Sequence, residues 1–193
     1  MNIGIVMSVS EKNIEKLQAL AWVVAVADGI SEEEADSLEM LTGQIGRFYP
    51  LRKAVEVLEK TGDIDKAMAH VSQADAVGTQ VMVHTMTFGS PEHIRKMRDE
   101  FNGLTLEDSE NPWVEYETFL KIKASDITDE FDQKLALIFI EQAIKEDGIS
   151  SDEMRALLVL SRSWGISRRQ ADSWFDDHFD PICERARSMF EGD

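Results

Sequence analysis

The sequence predicts an all-α fold, and two observations support that prediction. Apolar residues recur every three or four positions along most of the chain, and no two segments alternate as a pair of strands would. Residues 19–46 and 138–165 also resemble each other when they are aligned at an offset of 119 residues. Each copy predicts a helix, a tight turn and a second helix. The identities are Asp28-Gly29-Ile30-Ser31 with Asp147-Gly148-Ile149-Ser150, Glu34 with Glu153, Leu38 with Leu157, Leu41 with Leu160 and Gly46 with Gly165.

The first copy, at about residues 10–48, predicts a buried helix that a glycine turn joins to a capped helix. Apolar residues follow helical spacing from Ser10 to Ala27 and occupy nearly every side, which is typical of a buried helix. Gly29 suits the left-handed residue that ends a helix. Ser31 and Glu34 have the spacing of a capping box at the start of the next helix.

The second copy, at about residues 128–175, predicts the same pair of helices. Its first helix begins near the start of that range, with Asp129 and Glu130 in the first turn, where negative charge suits the helix dipole. The glycine turn recurs after this helix, and Ser150 with Glu153 repeats the capping-box pattern.

The remaining segments are also predicted to be helical. We expect residues 1–193 to form a single domain, with residues 61–124 as a helical insertion between the two copies. The clearest loop is 102–112, where Asn-Gly and Asn-Pro break the pattern. Helical spacing or N-terminal signals occur at 55–58, 64–71, 80–87, 90–91 and 113–123.

Two further helix starts are predicted after the second copy's paired helices. Ser167 and Gln170 have capping-box spacing. Asp180-Pro181 resembles an N-cap followed by proline at the first helical position. We therefore expect a short helix after Ser167 and a separate last helix after Asp180.

The chain is strongly acidic, with 20 Lys and Arg against 37 Asp and Glu and a net charge of −17. The excess of acid is spread along the chain, and no segment forms a basic patch. Because nucleic acids and anionic membranes are themselves negative, we expect neither to be a partner. Another protein, with a basic surface, is the partner that this charge favours.

The sequence also predicts a soluble, cytoplasmic protein. The longest apolar run, Ala19 to Ala27, is far shorter than the ~20 residues that span a bilayer, so direct membrane insertion is not expected. The N-terminal stretch has no basic residue before its apolar residues, unlike a signal peptide. Cys183 is the single cysteine, so neither an internal disulfide nor a cysteine-based zinc site is expected.

The two acidic turns are the candidate functional sites. Carboxylates are the ligands that hard divalent cations prefer, which makes Asp28 with Glu34, and Asp147 with Glu153, candidate metal ligands. The same residue types are common in glycine turns and helix caps, so a purely structural role is the alternative. An EF-hand is excluded by register, since its first, third and twelfth positions would be Val24, Val26 and Ala35, or Ala143, Lys145 and Met154.

Enzymatic motifs are missing from the sequence. No HExxH, GxxxxGK[ST], GxGxxG or GxSxG pattern occurs, and no two histidines have the helical spacing of zinc ligands. We therefore expect no enzyme. An enzyme with paired carboxylates would need a pocket in which one carboxyl pKa is raised.

The segments AVADGISEEE and IKEDGISSDE, each followed by Leu-x-x-Leu, resemble the TerB-like family. That family includes the tellurite-resistance protein TerB and the N-terminal region of certain J-domain co-chaperones. The resemblance implies two helical repeats around two central helices and a stress-response role. It also implies that Asp28, Glu34, Asp147 and Glu153 bind a divalent cation such as calcium, magnesium or manganese. Ala27 precedes the first Asp-Gly, whereas Glu146 precedes the second and departs from the family pattern.

Two functions remain open from the sequence. The first is a non-enzymatic TerB-like protein that binds a divalent cation or a basic partner at its acidic turns. The second is an acidic helical protein-interaction module without a cofactor, in which the same carboxylates only cap helices. The sequence leaves the oligomeric state open.

Overall fold

Helices account for all the regular structure in residues 9–25, 27, 37–38, 48–72, 112–144 and 148–190, which the computed structural model describes. The all-α prediction is confirmed for these ranges. No helix in them is long and apolar enough to cross a membrane. The elements are α1 (Val9–Ala25), a 3-10 helix (Tyr49–Leu51), α2 (Arg52–Thr61), α3 (Ile64–Met68), α4 (Pro112–Ser125), α5 (Glu130–Ile144), α6 (Ser151–Trp164) and α7 (Arg168–Phe190).

The C-terminal part of α1 and most of α5 are buried on nearly every side. In α5, eleven of the fifteen residues are buried. In α1, every residue from Leu20 to Ala25 is buried. The stretches 20–25 and 135–140 are apolar throughout, so packing on one face alone would leave apolar surface in water. The prediction of buried helices is confirmed for Leu20–Ala25 of α1 and for α5.

Helix α4 packs against α1 in the opposite direction. The hydroxyl of Tyr116, near the start of α4, donates to the backbone oxygen of Val23 at 2.8 Å. At the other end, the ammonium of Lys16 donates to the backbone oxygen of Asp126 at 3.1 Å, just beyond the end of α4. These contacts fix α4 antiparallel to α1 between Lys16 and Val23.

Helices α4 and α6 pack side by side in the same direction. At their N-terminal ends, the guanidinium of Arg155 lies 3.8 Å from the centre of the Trp113 ring. At their C-terminal ends, the indole nitrogen of Trp164 donates to the backbone oxygen of Ala124 at 3.0 Å. The observed helix α4 confirms the prediction of a helix at 113–123.

An aromatic cluster joins α5 and α7 to the segment before α2. The Phe48 ring lies 5.1 Å from Phe139 and 5.1 Å from Phe179, between centroids. The Phe131 and Trp174 rings meet edge to face at 5.5 Å. Such geometry adds to the burial energy of the rings. The cluster comprises Phe48, Phe131, Phe139, Trp174, Phe175 and Phe179.

The prediction that a separate helix begins at Asp180-Pro181 is wrong. Helix α7 runs without a break through Pro181. Proline inside a helix removes one backbone hydrogen bond and costs about 3 kcal/mol. Phe179 and Ile182, on either side of the proline, are both fully buried. Continuous packing of this face against the core therefore outweighs the local preference for a new helix start.

The two predicted copies are described to different extents. In the second copy, α5 and α6 are described, with residues 148–150 before α6. In the first copy, α1 is described, but most of the turn and second helix, including the Ser31 and Glu34 cap, lies outside the described residues. The correspondence of two helix–turn–helix units stays a prediction. The predicted helices at 80–87 and 90–91 also lie outside the described residues.

Candidate functional site

The structure describes one of the four predicted metal ligands. Asp28, Glu34 and Asp147 lie outside the described residues. Glu153 lies in the first turn of α6 and is 1% exposed. Its carboxylate is therefore enclosed by protein rather than presented to solvent.

Ser150 and Glu153 form a capping box at the start of α6. The Ser150 side chain accepts a hydrogen bond from the Glu153 backbone N–H at 3.1 Å. The Oε2 of Glu153 accepts one in return from the Ser150 backbone N–H at 2.9 Å. Gly148 precedes the box with φ of +101°, a conformation that suits glycine. The predicted cap is confirmed, and it satisfies two backbone donors that the helix cannot satisfy itself.

A second polar site, which the sequence did not predict, lies between the N-terminal ends of α1 and α5. Its centre is Asp132, which is only 3% exposed. The Nδ2 of Asn13 donates to Oδ2 of Asp132 at 2.8 Å. The hydroxyl of Tyr49 donates to Oδ1 at 2.6 Å. One buried carboxylate thus ties α1 and the 3-10 helix to α5.

Arg52 completes this polar site from α2. Its Nη2 donates to Asp129 at 2.6 Å and its Nε donates to Glu56 at 3.0 Å. Its Nη1 lies 3.9 Å from Oδ1 of Asp132. The guanidinium also lies 4.9 Å from the centre of the Phe131 ring. Asp129, in turn, accepts a hydrogen bond from the Asp132 backbone N–H at 3.3 Å and so caps α5.

Burial and the neighbouring charges shift the titration of this site. Burial raises the pKa of Asp132 above its ordinary value, although the hydrogen bond from Tyr49 opposes the shift. Burial and the hydrogen bond to Asp132 raise the pKa of Tyr49. Burial opposes the charge on Arg52, but its hydrogen bonds to Asp129 and Glu56 outweigh burial and raise its pKa. Tyr49 and Arg52 therefore remain donors to these carboxylates at neutral pH.

A small cavity adjoins the polar site. Its volume is about 50 Å³, far below the ~300–1,000 Å³ of pockets that hold organic ligands. A raised carboxyl pKa beside a cavity is a feature of acid–base sites, but this cavity accommodates only a few water molecules. The geometry favours a structural role for the network. The lining residues are Asn13, Lys16, Asp126, Ile127, Thr128, Asp129 and Asp132.

One signal for this site was present in the sequence. Asn13 lies one turn before Leu17, so it occupies the buried face of α1 as a polar residue. Asn13 and Asp132 are also 119 residues apart, which is the offset of the internal similarity. Asn13 and Asp132 therefore align in the two copies, and both lie on the buried side of their helices. This pattern favours a contact between them. No feature of the neighbouring sequence predicts that Tyr49 or Arg52 belongs to this site.

Tyr49→Phe will destabilise the protein more at pH 7 than at pH 4. Removing the hydroxyl costs about 2 kcal/mol when Asp132 is ionised and about 1 kcal/mol when it is protonated. The sign follows from linkage: the bond lowers the pKa of Asp132, so its loss raises that pKa further. The resulting penalty grows as the pH rises through the folded-state value. Urea denaturation at both pH values measures it.

Tyr116→Phe is the matched control for that experiment. Its hydroxyl donates to the uncharged backbone oxygen of Val23. Its loss should cost about 1 kcal/mol at both pH values. Equal pH dependence in the two variants would contradict the role assigned to Asp132.

Comparisons with known proteins give no relative, since no family model, curated protein or solved structure matches this chain. Within the ranges described above, no three His, Cys, Asp or Glu side chains come together as a metal site. What the two polar sites can do therefore follows from their own geometry.

Proposed function

We propose that this is a non-enzymatic, cytoplasmic, TerB-like helical protein that binds a basic protein partner through its acidic surface. The capping box supports a role without a bound cation, because it gives a structural task to a carboxylate of the predicted metal site. The net charge of −17 supports a basic partner, since opposite charge speeds and strengthens encounter. A role in stress response or tellurite resistance is supported by the resemblance of the acidic turns alone.

The position of Glu153 favours the cap over the ligand. Its Oε2 already accepts the Ser150 backbone N–H, and the side chain is buried. A cation at this oxygen would have to displace that bond and leave a helix N-terminus unsatisfied. Calcium would also need six to eight oxygen ligands, more than one enclosed carboxylate supplies. Cation binding by Asp28, Glu34 and Asp147 remains the alternative.

Glu153→Ala will lower the free energy of unfolding by about 1–2 kcal/mol, because the backbone donor of Ser150 loses its acceptor. Glu153→Gln is the matched control. Its amide oxygen can still accept that bond, and Ser-x-x-Gln is also a capping box. We expect the glutamine variant to retain most of the stability in urea denaturation. A glutamine variant as unstable as the alanine variant would contradict the cap.

Calorimetric titration distinguishes the cap from the metal site. Chelator-treated protein would be titrated with calcium, magnesium and manganese, beside the variants Asp28→Asn, Asp147→Asn and Glu153→Gln. We expect no saturable heat that depends on Glu153. Saturable binding that is abolished by Glu153→Gln in a folded protein would overturn the proposal and establish the second turn as a cation site.

A further inference from the structure

Helices α4 and α6 carry all the large apolar side chains that are exposed in the described part of the chain. These are Val114, Ile122, Met154 and Leu158, with exposures of 54%, 57%, 36% and 48%. Val114 and Ile122 are two turns apart, and Met154 and Leu158 are one turn apart, so each pair lies on one side of its helix. Single exposed apolar residues are ordinary, but concentration on two adjacent helices marks an interaction surface.

The same two helices are electrically neutral on a chain of charge −17. In α4, two acidic residues precede two basic residues, and in α6 two acidic residues precede two arginines. Because α4 and α6 run in the same direction, the net charge of the pair is negative at its N-terminal end, where Arg155 lies among the acidic residues, and positive at its C-terminal end. The charged residues are Glu115, Glu117, Lys121 and Lys123 in α4, and Asp152, Glu153, Arg155 and Arg162 in α6. Glu153 is buried in the capping box, so it does not contribute to the solvent side.

We propose that the solvent side of α4 and α6, here called the α4–α6 face, binds the same face of a second copy of this chain. A two-fold axis perpendicular to the helices would place the acidic end of one copy on the basic end of the other. Glu115 would then oppose Lys121 or Arg162 of the second copy, with the four apolar residues between them. A face without the excess of acidic residues found in the chain as a whole is also where two chains of charge −17 repel each other less.

The size of the face determines the strength of this association. Fourteen residues of helix extend about 21 Å, and two adjacent helices cover roughly 400 Å². Stable interfaces bury about 800 Å² on each partner. The dimer is therefore weak and depends on protein concentration.

Sedimentation equilibrium of the full chain, from 1 to 500 μM in 0.15 M sodium chloride, tests the proposal. We expect a monomer–dimer equilibrium in this range. Leu158→Glu buries a charge at the centre of the face and should raise the dissociation constant at least about tenfold. A chain that is monomeric throughout the range overturns the proposal.

A charge exchange tests the antiparallel arrangement. Glu115→Lys and Lys121→Glu each place like charges across the axis and should raise the dissociation constant about fivefold. The double variant restores opposite charges and should return it to within about twofold. Lys53→Glu is the matched control, because Lys53 and Lys121 are both exposed and each pairs with a glutamate of its own helix.

The dissociation constants of the control and of the double variant each test one part of the proposal. An unchanged dissociation constant for Lys53→Glu supports a contact at the α4–α6 face. An equal loss for Lys53→Glu overturns it, because overall charge alone would then explain the effect. A double variant as weak as the single variants overturns the two-fold arrangement. Circular dichroism of every variant verifies that it is folded.

Discussion

Asn13→Asp will lower the free energy of unfolding by about 3–4 kcal/mol at pH 7. The Nδ2 of Asn13 donates to Oδ2 of Asp132 at 2.8 Å, and the substitution replaces this donor with a carboxylate oxygen of nearly the same shape. Two carboxylates whose charges are centred about 4 Å apart repel by about 4 kcal/mol where the effective dielectric constant is near 20. Urea denaturation followed by circular dichroism measures the loss.

The loss from Asn13→Asp will shrink as the pH falls from 7 to 4. The facing carboxyl groups share a proton below their raised pKa values, and a hydrogen bond then replaces the repulsion. A carboxyl with a raised folded-state pKa contributes stability below its unfolded pKa and loses it as the pH rises through the folded value. Asn13→Ala, which adds no charge, should cost about 1 kcal/mol. Equal losses for Asn13→Asp at both pH values would contradict the pairing with Asp132.

Phe179→Ala will destabilise the protein by about 3–5 kcal/mol. Phe179 is fully buried. Its ring centroid lies 5.1 Å from Phe48, 5.3 Å from Trp174 and 5.6 Å from Phe131. Removing the ring leaves a cavity between α5, α7 and the segment before α2, which surrounding groups can fill only in part. The midpoint of urea unfolding, with an unchanged slope, measures the effect.

Phe175→Ala is the control for the aromatic cluster. Phe175 lies one turn earlier on α7 and stacks on Phe179 at 5.1 Å, but it is only partly buried. Its loss should cost about 1–2 kcal/mol, because less apolar area returns to water. A cost for Phe179→Ala no greater than that for Phe175→Ala would show that the cluster is not centred on Phe179.

Features that depend on neighbouring residues were predicted well from the sequence. Apolar residues on every side predicted the burial of α1 and α5, because no single face could cover them. The Ser150 and Glu153 cap was predicted because its two hydrogen bonds join residues three positions apart. The break at Pro181 was predicted by an equally local rule and was wrong, because burial of Phe179 and Ile182 depends on residues far along the chain.

The polar network around Asp132 could not be predicted from the sequence, because its contacts also join residues that are far apart in the chain. Tyr49 and Arg52 meet Asp132 only after α2 has packed on α5, a contact between positions about 80 residues apart. The predicted metal site could not be distinguished from a helix cap by its sequence, since a cap and a cation ligand require the same residue types at the same spacing. For Glu153 the structure shows the cap. Cation binding at Asp28, Glu34, Asp147 and Glu153 stays a prediction.

Helix α1 is far along the chain from the helices that it contacts, and this sequence separation affects the protein during its synthesis. The bond from Tyr116 to Val23 joins positions 93 residues apart, and the bond from Asn13 to Asp132 joins positions 119 residues apart. A ribosome adds roughly 5–20 residues per second, so this longer interval takes about 6–24 s. Until α4 and then α5 have been synthesised, the apolar stretch from Leu20 to Ala25 lacks its contacts to these helices. A nascent chain in this state exposes apolar surface, which makes incompletely folded chains prone to aggregate.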